Sequence, residues 1–157
     1  MSDALIQLLT AFIGALGFSL VFNVRRELLL SASLGGMLVW GVYLFCGHFF
    51  EGVFLPSLVA AAFASLYSEI LARVKKAPAT VFYTPALIPL VPGGSLYYTM
   101  SYAIRGEWES MSLSGSSTAY CALGIAVGMS LVLSTDFTLR KIIGKLSLKE
   151  KLDQNKR

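Results

Sequence analysis

The sequence predicts an all-α integral membrane protein with about five transmembrane helices, and two observations support this fold class. Of the 157 residues, 55% are hydrophobic and only 14% are charged, whereas soluble domains carry roughly 25% charged residues. The charges also cluster between apolar runs of about 20 residues or more, the length that crosses a hydrocarbon core of roughly 30 Å. The polar stretches between these runs are too short to form a soluble catalytic domain.

Five apolar runs predict the helices in order. The N-terminus lacks the basic segment and the small-residue cleavage site of a secretory signal, so we expect the first run to remain as a helix. Helices of this length satisfy their own backbone groups in lipid. The predicted spans are 4–24, 28–50, 53–74, 79–104 and 116–135. They form a transmembrane domain over 1–136, followed by a basic cytoplasmic tail over 137–157 that is partly an amphipathic helix.

The basic residues orient the predicted bundle. Lys and Arg favour the cytoplasmic side of a membrane, and 12 of the 13 follow the first, third or fifth span. Only Arg105 lies on the opposite side. The protein is therefore predicted to be N-out and C-in. This topology also explains the net charge of +4, so nucleic-acid binding is not needed to account for it.

The tail after the fifth span has apolar residues at helical spacing, with basic residues on much of the other side. These apolar residues are Leu139, Ile142, Ile143 and Leu146. The segment either extends the fifth helix or lies on the anionic cytoplasmic leaflet. Its role is either to anchor the topology or to dock a partner.

The fourth span is interrupted by proline and glycine near its middle. Pro85, Pro89 and Pro92 lie in it, and Gly93 and Gly94 follow directly. Proline removes a backbone donor and clashes with the preceding turn, and glycine frees the chain further. We therefore expect two half-helices that meet at Pro92 and Gly93 near the bilayer midplane. Open backbone at that depth is tolerated only inside protein or along a watery cavity, and transporters build substrate sites in this way.

The direction of the fourth span predicts what its break binds. The first half enters from the cytoplasm and ends near Leu90 with free carbonyls, and the second half begins near Pro92 with free amides. A helix N-terminus with free amides favours an anion, so we expect it to receive a substrate carboxylate. The alternative is a kink that only shapes packing. The predicted substrate-binding residues are Pro89, Pro92, Gly93, Gly94, Ser95, Tyr97 and Tyr98.

Two polar residues nearer the cytoplasm are candidates for the coupling site or the translocation path. Glu69 lies within the third span, where acids are functional candidates. It also precedes Arg73 by four residues, a spacing that favours an interfacial ion pair. Asn23 lies at the inner end of the first helix, where it either caps the helix or contacts the path.

The remaining residues give little support for enzymatic chemistry. Metal and acid–base sites need clustered His, Asp, Glu or Cys, but His48 is the only histidine, and Cys46 and Cys121 lie in apolar runs. No phosphate-binding Walker loop is present. We therefore predict no enzyme activity, no metal and no cofactor. A transporter subunit is the leading interpretation, and a non-transporting membrane scaffold or assembly subunit is the alternative.

Two motifs resemble those of the threonine/serine exporter family. They are GFSLVFNV at the end of the first helix and VFYTPALIPLVPGGSLYY in the fourth. The chain is most similar to the small subunit of the split, two-chain members, which corresponds to the C-terminal half of a ten-helix exporter. The family motif in the fourth helix falls on residues 88–93, and this sequence adds a second glycine, Gly94, and the aromatic pair Tyr97 and Tyr98.

The resemblance implies export of small carboxylate metabolites across the bacterial cytoplasmic membrane. Threonine and serine are the substrates that the family name gives, and some two-chain members are associated with dicarboxylates such as succinate. The resemblance also implies a larger partner subunit equivalent to the N-terminal half. A homo-oligomer is a further expectation, because five helices make a thin bundle around a broken one.

Overall fold

The computed structural model describes the backbone of residues 2–154 and the side chains of residues 3–134, and this part of the chain is all-helical. Helices α1, α2 and α3 are long and continuous. The fourth predicted span is split into α4, a short 3-10 turn and α5, and α6 follows. The bounds are Ser2–Val21 (α1), Arg26–Gly47 (α2), Phe54–Lys75 (α3), Thr80–Leu87 (α4), Ile88–Leu90 (3-10 turn), Gly93–Arg105 (α5) and Trp108–Gln154 (α6).

Four of these helices contain stretches long and apolar enough to cross a membrane: Asp3–Val21, Arg26–Gly47, Phe54–Lys75 and Trp108–Ser134. The shorter apolar segment Thr80–Leu90 belongs to the split fourth span. The predicted fold class is therefore confirmed, with the fourth of five spans broken.

Three helices of the described chain end in the same way, with a residue in the left-handed conformation. These residues are Asn23 (φ 53°), Lys76 (φ 50°) and Gly106 (φ 75°). In each case the next amide donates to a carbonyl five residues earlier, at 3.0–3.1 Å, which satisfies carbonyls that would otherwise have no partner. The short turns after α1 and α3 are thus fixed by the backbone.

The interior of the bundle is built from small residues, and the large apolar side chains point outward. Ala15, Ala32, Ala60 and Ala64 are fully buried, whereas large residues such as Leu5, Ile13, Leu30 and Ile70 are more than half exposed. Small residues let helix backbones approach closely, and lipid rather than water solvates the outside of a membrane bundle. The arrangement is that of a membrane protein.

Helix α2 lies at the centre and contacts α1, α3 and α4. A Cβ atom built on Gly36 would lie 2.5 Å from the Ala15 Cβ on α1 and 3.5 Å from the Pro89 Cγ beside α4. One on Gly35 would lie 2.8 Å from the Tyr67 ring on α3. Two adjacent glycines therefore let three neighbours approach the middle of α2.

Helix α6 runs alongside α3 in the same direction. A Cβ atom built on Gly124 would lie 2.5 Å from the Phe54 carbonyl, and one on Gly128 would overlap the Leu58 carbonyl. The side chains of the C-terminal tail lie outside the described residues, so the amphipathic interpretation of that segment stays a prediction. The backbone of α6 continues to Gln154. This corresponds to the first of the two alternatives predicted for the tail, an extension of the fifth helix.

Helix α5 packs against α6 and makes at most marginal contact with the rest of the described chain. The Thr99 methyl on α5 lies 3.3 Å from the Cβ position of Gly115 on α6. Gly124 is level with the first residue of α3, so the part of α6 before Cys121 extends beyond the end of α3. This part has some 13 residues and is therefore about 20 Å long, at about 1.5 Å per residue. Helix α5 and this segment form a hairpin that we call the outer hairpin, residues 93–120.

The outer hairpin corrects one boundary predicted from the sequence. The polar stretch before residue 116 is helical, and α6 begins at Trp108. Its hydroxyls fold back on the helix: the Ser116 Oγ donates to the Ser112 carbonyl at 2.7 Å and the Thr118 Oγ1 to the Ser114 carbonyl at 2.9 Å. Small hydroxyl residues that bond to their own helix need not interrupt it.

Candidate functional site

The break between α4 and α5 is a backbone feature that the prolines create. After the 3-10 turn, Val91 is extended (φ −61°, ψ 123°) and Pro92 has φ −76° and ψ 52°. The Gly93 N–H donates to the Val91 carbonyl at 2.7 Å, which closes a three-residue turn around Pro92. Neither Pro89 nor Pro92 can donate, so a regular helix could not continue through this segment.

The break lies deep within the apolar bundle. Leu90 is 3% exposed and shares the core cluster with Val39 of α2, Ala60 and Ala64 of α3, and Ala86 of α4. Val39 is well inside α2, which spans Arg26–Gly47. The backbone therefore becomes irregular directly after a residue that packs in the core of the bundle, and the predicted depth of the break at the bilayer midplane stays a prediction.

The carbonyl end of the first half-helix meets a polar contact from α6. The Cys121 Sγ donates to the Leu90 carbonyl at 3.6 Å and lies 3.3 Å from the Ser57 Oγ on α3. Cys121 is buried, as predicted. Its contact with the break was not predicted, although Cys121, Gly124 and Gly128 share one helical face and both glycines contact α3. That spacing is the signal that could have placed Cys121 in the interface.

The amide end of the second half-helix is open. The Leu96 N–H donates to the Pro92 carbonyl at 3.0 Å, and the Ser95 Oγ donates to the same carbonyl at 3.1 Å. Within the described chain, the amides of Gly94 and Ser95 have no acceptor, as the first turn of a helix requires unless a cap is present. Gly93 and Gly94 are exposed, and a Cβ atom on either would meet nothing within 4 Å. The glycines thus leave space in front of two free donors.

The two tyrosines predicted to contact substrate lie on the exposed side of α5. Tyr97 is 68% exposed and Tyr98 is 54% exposed. Their rings meet edge to face at a centroid distance of 5.6 Å, and Tyr98 also stacks on Tyr102 at 6.2 Å. They follow the free amides by less than one turn. They do not point into the bundle of this chain, so anything that they contact must come from outside it.

Pro89 lies on the opposite side of the break from these open groups. It is half-buried, and its Cγ lies 3.5 Å from the Cβ position of Gly36. Its contact with α2 fixes the position of the turn. The structure therefore divides the predicted site into Pro89, which holds the break against the bundle, and residues 92–95, which open outward.

Glu69 and Asn23 are not brought to the break. Glu69 is five residues beyond Ala64 on α3, or about 8 Å along the helix, and its Oε2 lies 4.0 Å from the Arg73 Nη2. This is the Glu-to-Arg pair that the spacing predicts, and the Glu69 side chain is only 14% exposed. Asn23 adopts the left-handed conformation that ends α1, with its amide bonded to the Leu20 carbonyl at 3.0 Å. A coupling or path role for either residue stays a prediction.

The buried polar groups of the bundle are mostly satisfied locally. Buried serine hydroxyls bond to carbonyls one turn earlier on their own helices: Ser19, Ser33, Ser65 and Ser68, at 2.7–3.1 Å. In the described part of the chain, no group of three or more His, Cys, Asp or Glu side chains could hold a metal ion. What the break offers to a ligand is therefore backbone amides, carbonyls and hydroxyls.

One comparison with known proteins matches a range that contains both half-helices and the break. A family model described as Threonine/Serine exporter, ThrE, matches residues 7–135. The matched range begins in α1, includes both half-helices and the break, and ends in α6. No solved structure matches the chain.

Proposed function

Because the chain belongs to the threonine/serine exporter family, we propose that it is a subunit of a secondary exporter that moves small carboxylate metabolites out of the cytoplasm. Threonine and serine, or a dicarboxylate such as succinate, are the proposed substrates. The site of action is the bacterial cytoplasmic membrane. The observation that carries this proposal is the pair of free amides, Gly94 and Ser95, at the start of the half-helix that follows the buried residue Leu90.

The break suits a carboxylate for electrostatic reasons. The N-terminus of α5 carries a partial positive charge from the helix dipole, and its free amides point along the axis toward a ligand. Hydrogen bonds to a charged acceptor are worth about 1.5–3 kcal/mol each, more than neutral ones. The open space in front of Gly93 and Gly94 would admit the carboxylate without displacing any side chain of the chain.

A partner would complete the proposed site. Helix α5 has no buried residue, and its apolar side chains Leu96, Met100 and Ile104 are 48–88% exposed. We propose that the larger exporter subunit, equivalent to the N-terminal half, covers this face, with a second copy of the chain as the alternative. The partner would also supply groups for ion coupling, because residues 3–134 bring no carboxylate to the break.

The decisive experiment measures efflux of labelled serine, threonine and succinate from cells with and without each chain. Gly93→Val is the informative variant, since a Cβ atom at this position meets no atom of this chain within 4 Å, so the substitution should not disturb folding. We expect efflux to fall about 10-fold or more, because the valine side chain would crowd the Gly94 and Ser95 amides and weaken at least one charge-assisted hydrogen bond to the carboxylate. Gly47→Val is the matched control, because Gly47 is equally exposed and equally free of neighbours but lies at the end of α2.

Membrane abundance and co-purification with the partner separate the outcomes. Parental efflux from Gly93→Val cells would show that the break does not bind substrate. If the partner needs this chain for assembly while efflux is unchanged by Gly93→Val and by Pro92→Ala, the chain is the non-transporting scaffold instead. Efflux of all three compounds that is independent of the chain would reject the substrate assignment.

A further inference from the structure

An open cavity lies at the opposite end of the bundle from the outer hairpin. It has a volume of about 500 Å³ and is lined by the α1–α2 turn, the α3–α4 turn and the first residues of α2 and α4. Two cationic side chains line it from the two different turns, Arg25 and Lys76. The side chains of Asn23, Thr80 and Thr84 add neutral polar groups. The proposed transport site does not use this cavity.

The two turns fix the backbone from which the cationic side chains extend. The Val24 N–H donates to the Ser19 carbonyl at 3.0 Å, directly before Arg25, and the Ala77 N–H donates to the Ala72 carbonyl at 3.1 Å, directly after Lys76. Both backbones are therefore anchored to the helix that they leave. Arg25 and Lys76 are themselves exposed, so their charged ends are accessible to a ligand.

The charges of this cavity select a net anion. Among the described residues that line it, none is acidic. Glu27 lies nearby and approaches Arg25 at 3.9 Å, but both side chains are about 80% exposed, and such surface pairs are worth little. A zwitterionic amino acid would bring its ammonium group next to two cations. A phosphate would meet both cations and the neutral donors without that repulsion.

The walls of the cavity select an amphiphile. Phe22, Leu28 and Val81 line it together with Val24, Ala77 and Pro78, and Leu28 and Phe82 belong to an apolar cluster directly behind. Among the described side chains, every Lys and Arg except Arg105 lies near this end of the bundle, which is the predicted cytoplasmic interface. A basic rim over apolar walls at that depth is where anionic phospholipid headgroups bind.

We propose that this cavity binds an anionic phospholipid of the cytoplasmic leaflet. Its phosphate lies between Arg25 and Lys76, and its glycerol and upper acyl chains lie against Phe22 and Val81. The site ties the α1–α2 turn to the α3–α4 turn and so stabilises the inner end of the bundle. Lipid binding in this cavity does not depend on which substrate is transported.

The test uses the full chain, purified in mild detergent together with the partner where the two co-purify. Phosphatidylglycerol or phosphatidylcholine is titrated, and the rise in the thermal unfolding midpoint gives an apparent affinity. We expect a rise with phosphatidylglycerol only. Arg25→Gln and Lys76→Gln should each require about 5-fold more lipid, and the double variant about 30-fold more. Lys75→Gln removes the same charge beside the cavity without lining it and should change the requirement less than about twofold.

Two controls can overturn the proposal. Glycerol phosphate carries the headgroup phosphate without acyl chains, and succinate is a soluble dianion. If either raises the midpoint through Arg25 and Lys76 as well as the lipid does, the cavity is a soluble-anion site. If Lys75→Gln raises the lipid requirement as much as Arg25→Gln and Lys76→Gln do, the lipid responds to diffuse surface charge and not to the cavity. Equal stabilisation by both lipids in the parent chain would reject anion binding altogether.

Discussion

The close packing of Gly36 against Ala15 predicts how much a larger side chain at Gly36 should lower the free energy of unfolding. A methyl group added at Gly36 would place its carbon 2.5 Å from the Ala15 Cβ, with the Pro85 carbonyl and the Pro89 Cγ both at 3.5 Å. Carbon atoms pack favourably at about 3.5–4.0 Å. The new methyl therefore overlaps its neighbour by about 1 Å or more. Pro85 and Pro89 block its retreat toward α4, so α1 has to move away.

Two terms of opposite sign set the free energy of unfolding of Gly36→Ala. Overpacking a well-packed core costs about 1–3 kcal/mol. Replacing glycine by alanine within a helix gains up to about 1 kcal/mol. With the full helix gain, we therefore expect a net loss of about 0–2 kcal/mol. Gly17→Ala measures the helix term alone, because Gly17 lies in α1 and its Cβ would meet nothing within 4 Å. The difference between the two variants should recover the full steric cost.

The assay is reversible unfolding in mixed detergent, followed by circular dichroism, for the parent, both single variants and Ala15→Gly/Gly36→Ala. The double variant removes the methyl group that the new one strikes. Contacting residues show coupling energies of about 0.5–3 kcal/mol, so the double variant should regain most of the loss beyond the cost of Ala15→Gly itself. If Gly36→Ala is as stable as Gly17→Ala, or if Ala15→Gly does not rescue it, α1 and α2 do not pack as described.

Three further predictions concern other parts of the chain. Asn23→Gly should leave stability within about 0.5 kcal/mol, while Asn23→Val should cost about 1–2 kcal/mol because φ is positive there; a loss of efflux in a fully stable Asn23→Gly protein would instead reveal a path role. Glu69→Gln should cost about 1–2 kcal/mol, because the Glu69 side chain is only 14% exposed and its carboxylate pairs with Arg73, and it should leave the pH profile of efflux unchanged; a shifted profile would favour proton coupling. Gly124→Val should separate α6 from Phe54 and lower the unfolding midpoint more than Gly47→Val does, since the latter has no neighbour to displace.

The sequence was sufficient to predict the fold class and the position of the break, because both depend on local chemistry. Apolar length determines whether a segment can span, and prolines at positions 89 and 92 prevent a regular helix in any surroundings. The Glu69–Arg73 pair and the capping of α1 at Asn23 are equally local. Each involves residues within five positions of one another, so spacing alone contains the information.

The placement of α5 could not be predicted, because it depends on contacts distant in sequence. Thr99 meets Gly115, and Cys121 meets both Leu90 and Ser57. Nothing in the local pattern distinguishes a second half-helix that returns to the bundle from one that packs on α6 alone. The division of the predicted site has the same origin: Pro89 is turned inward by Gly36, whereas the free amides open outward.

The energetics of the open side favour the proposal that this chain acts together with a partner. An amide without a hydrogen-bond partner costs about 1–3 kcal/mol in protein interiors and several kcal/mol in lipid. Two such donors, Gly94 and Ser95, facing hydrocarbon would remove much of the 5–15 kcal/mol that stabilises a typical fold. A structural kink could avoid this cost by placing a capping serine or aspartate before α5, but proline occupies the cap position and glycine the first turn. The donors are thus kept available at a place where only a partner, water or a substrate carboxylate can satisfy them.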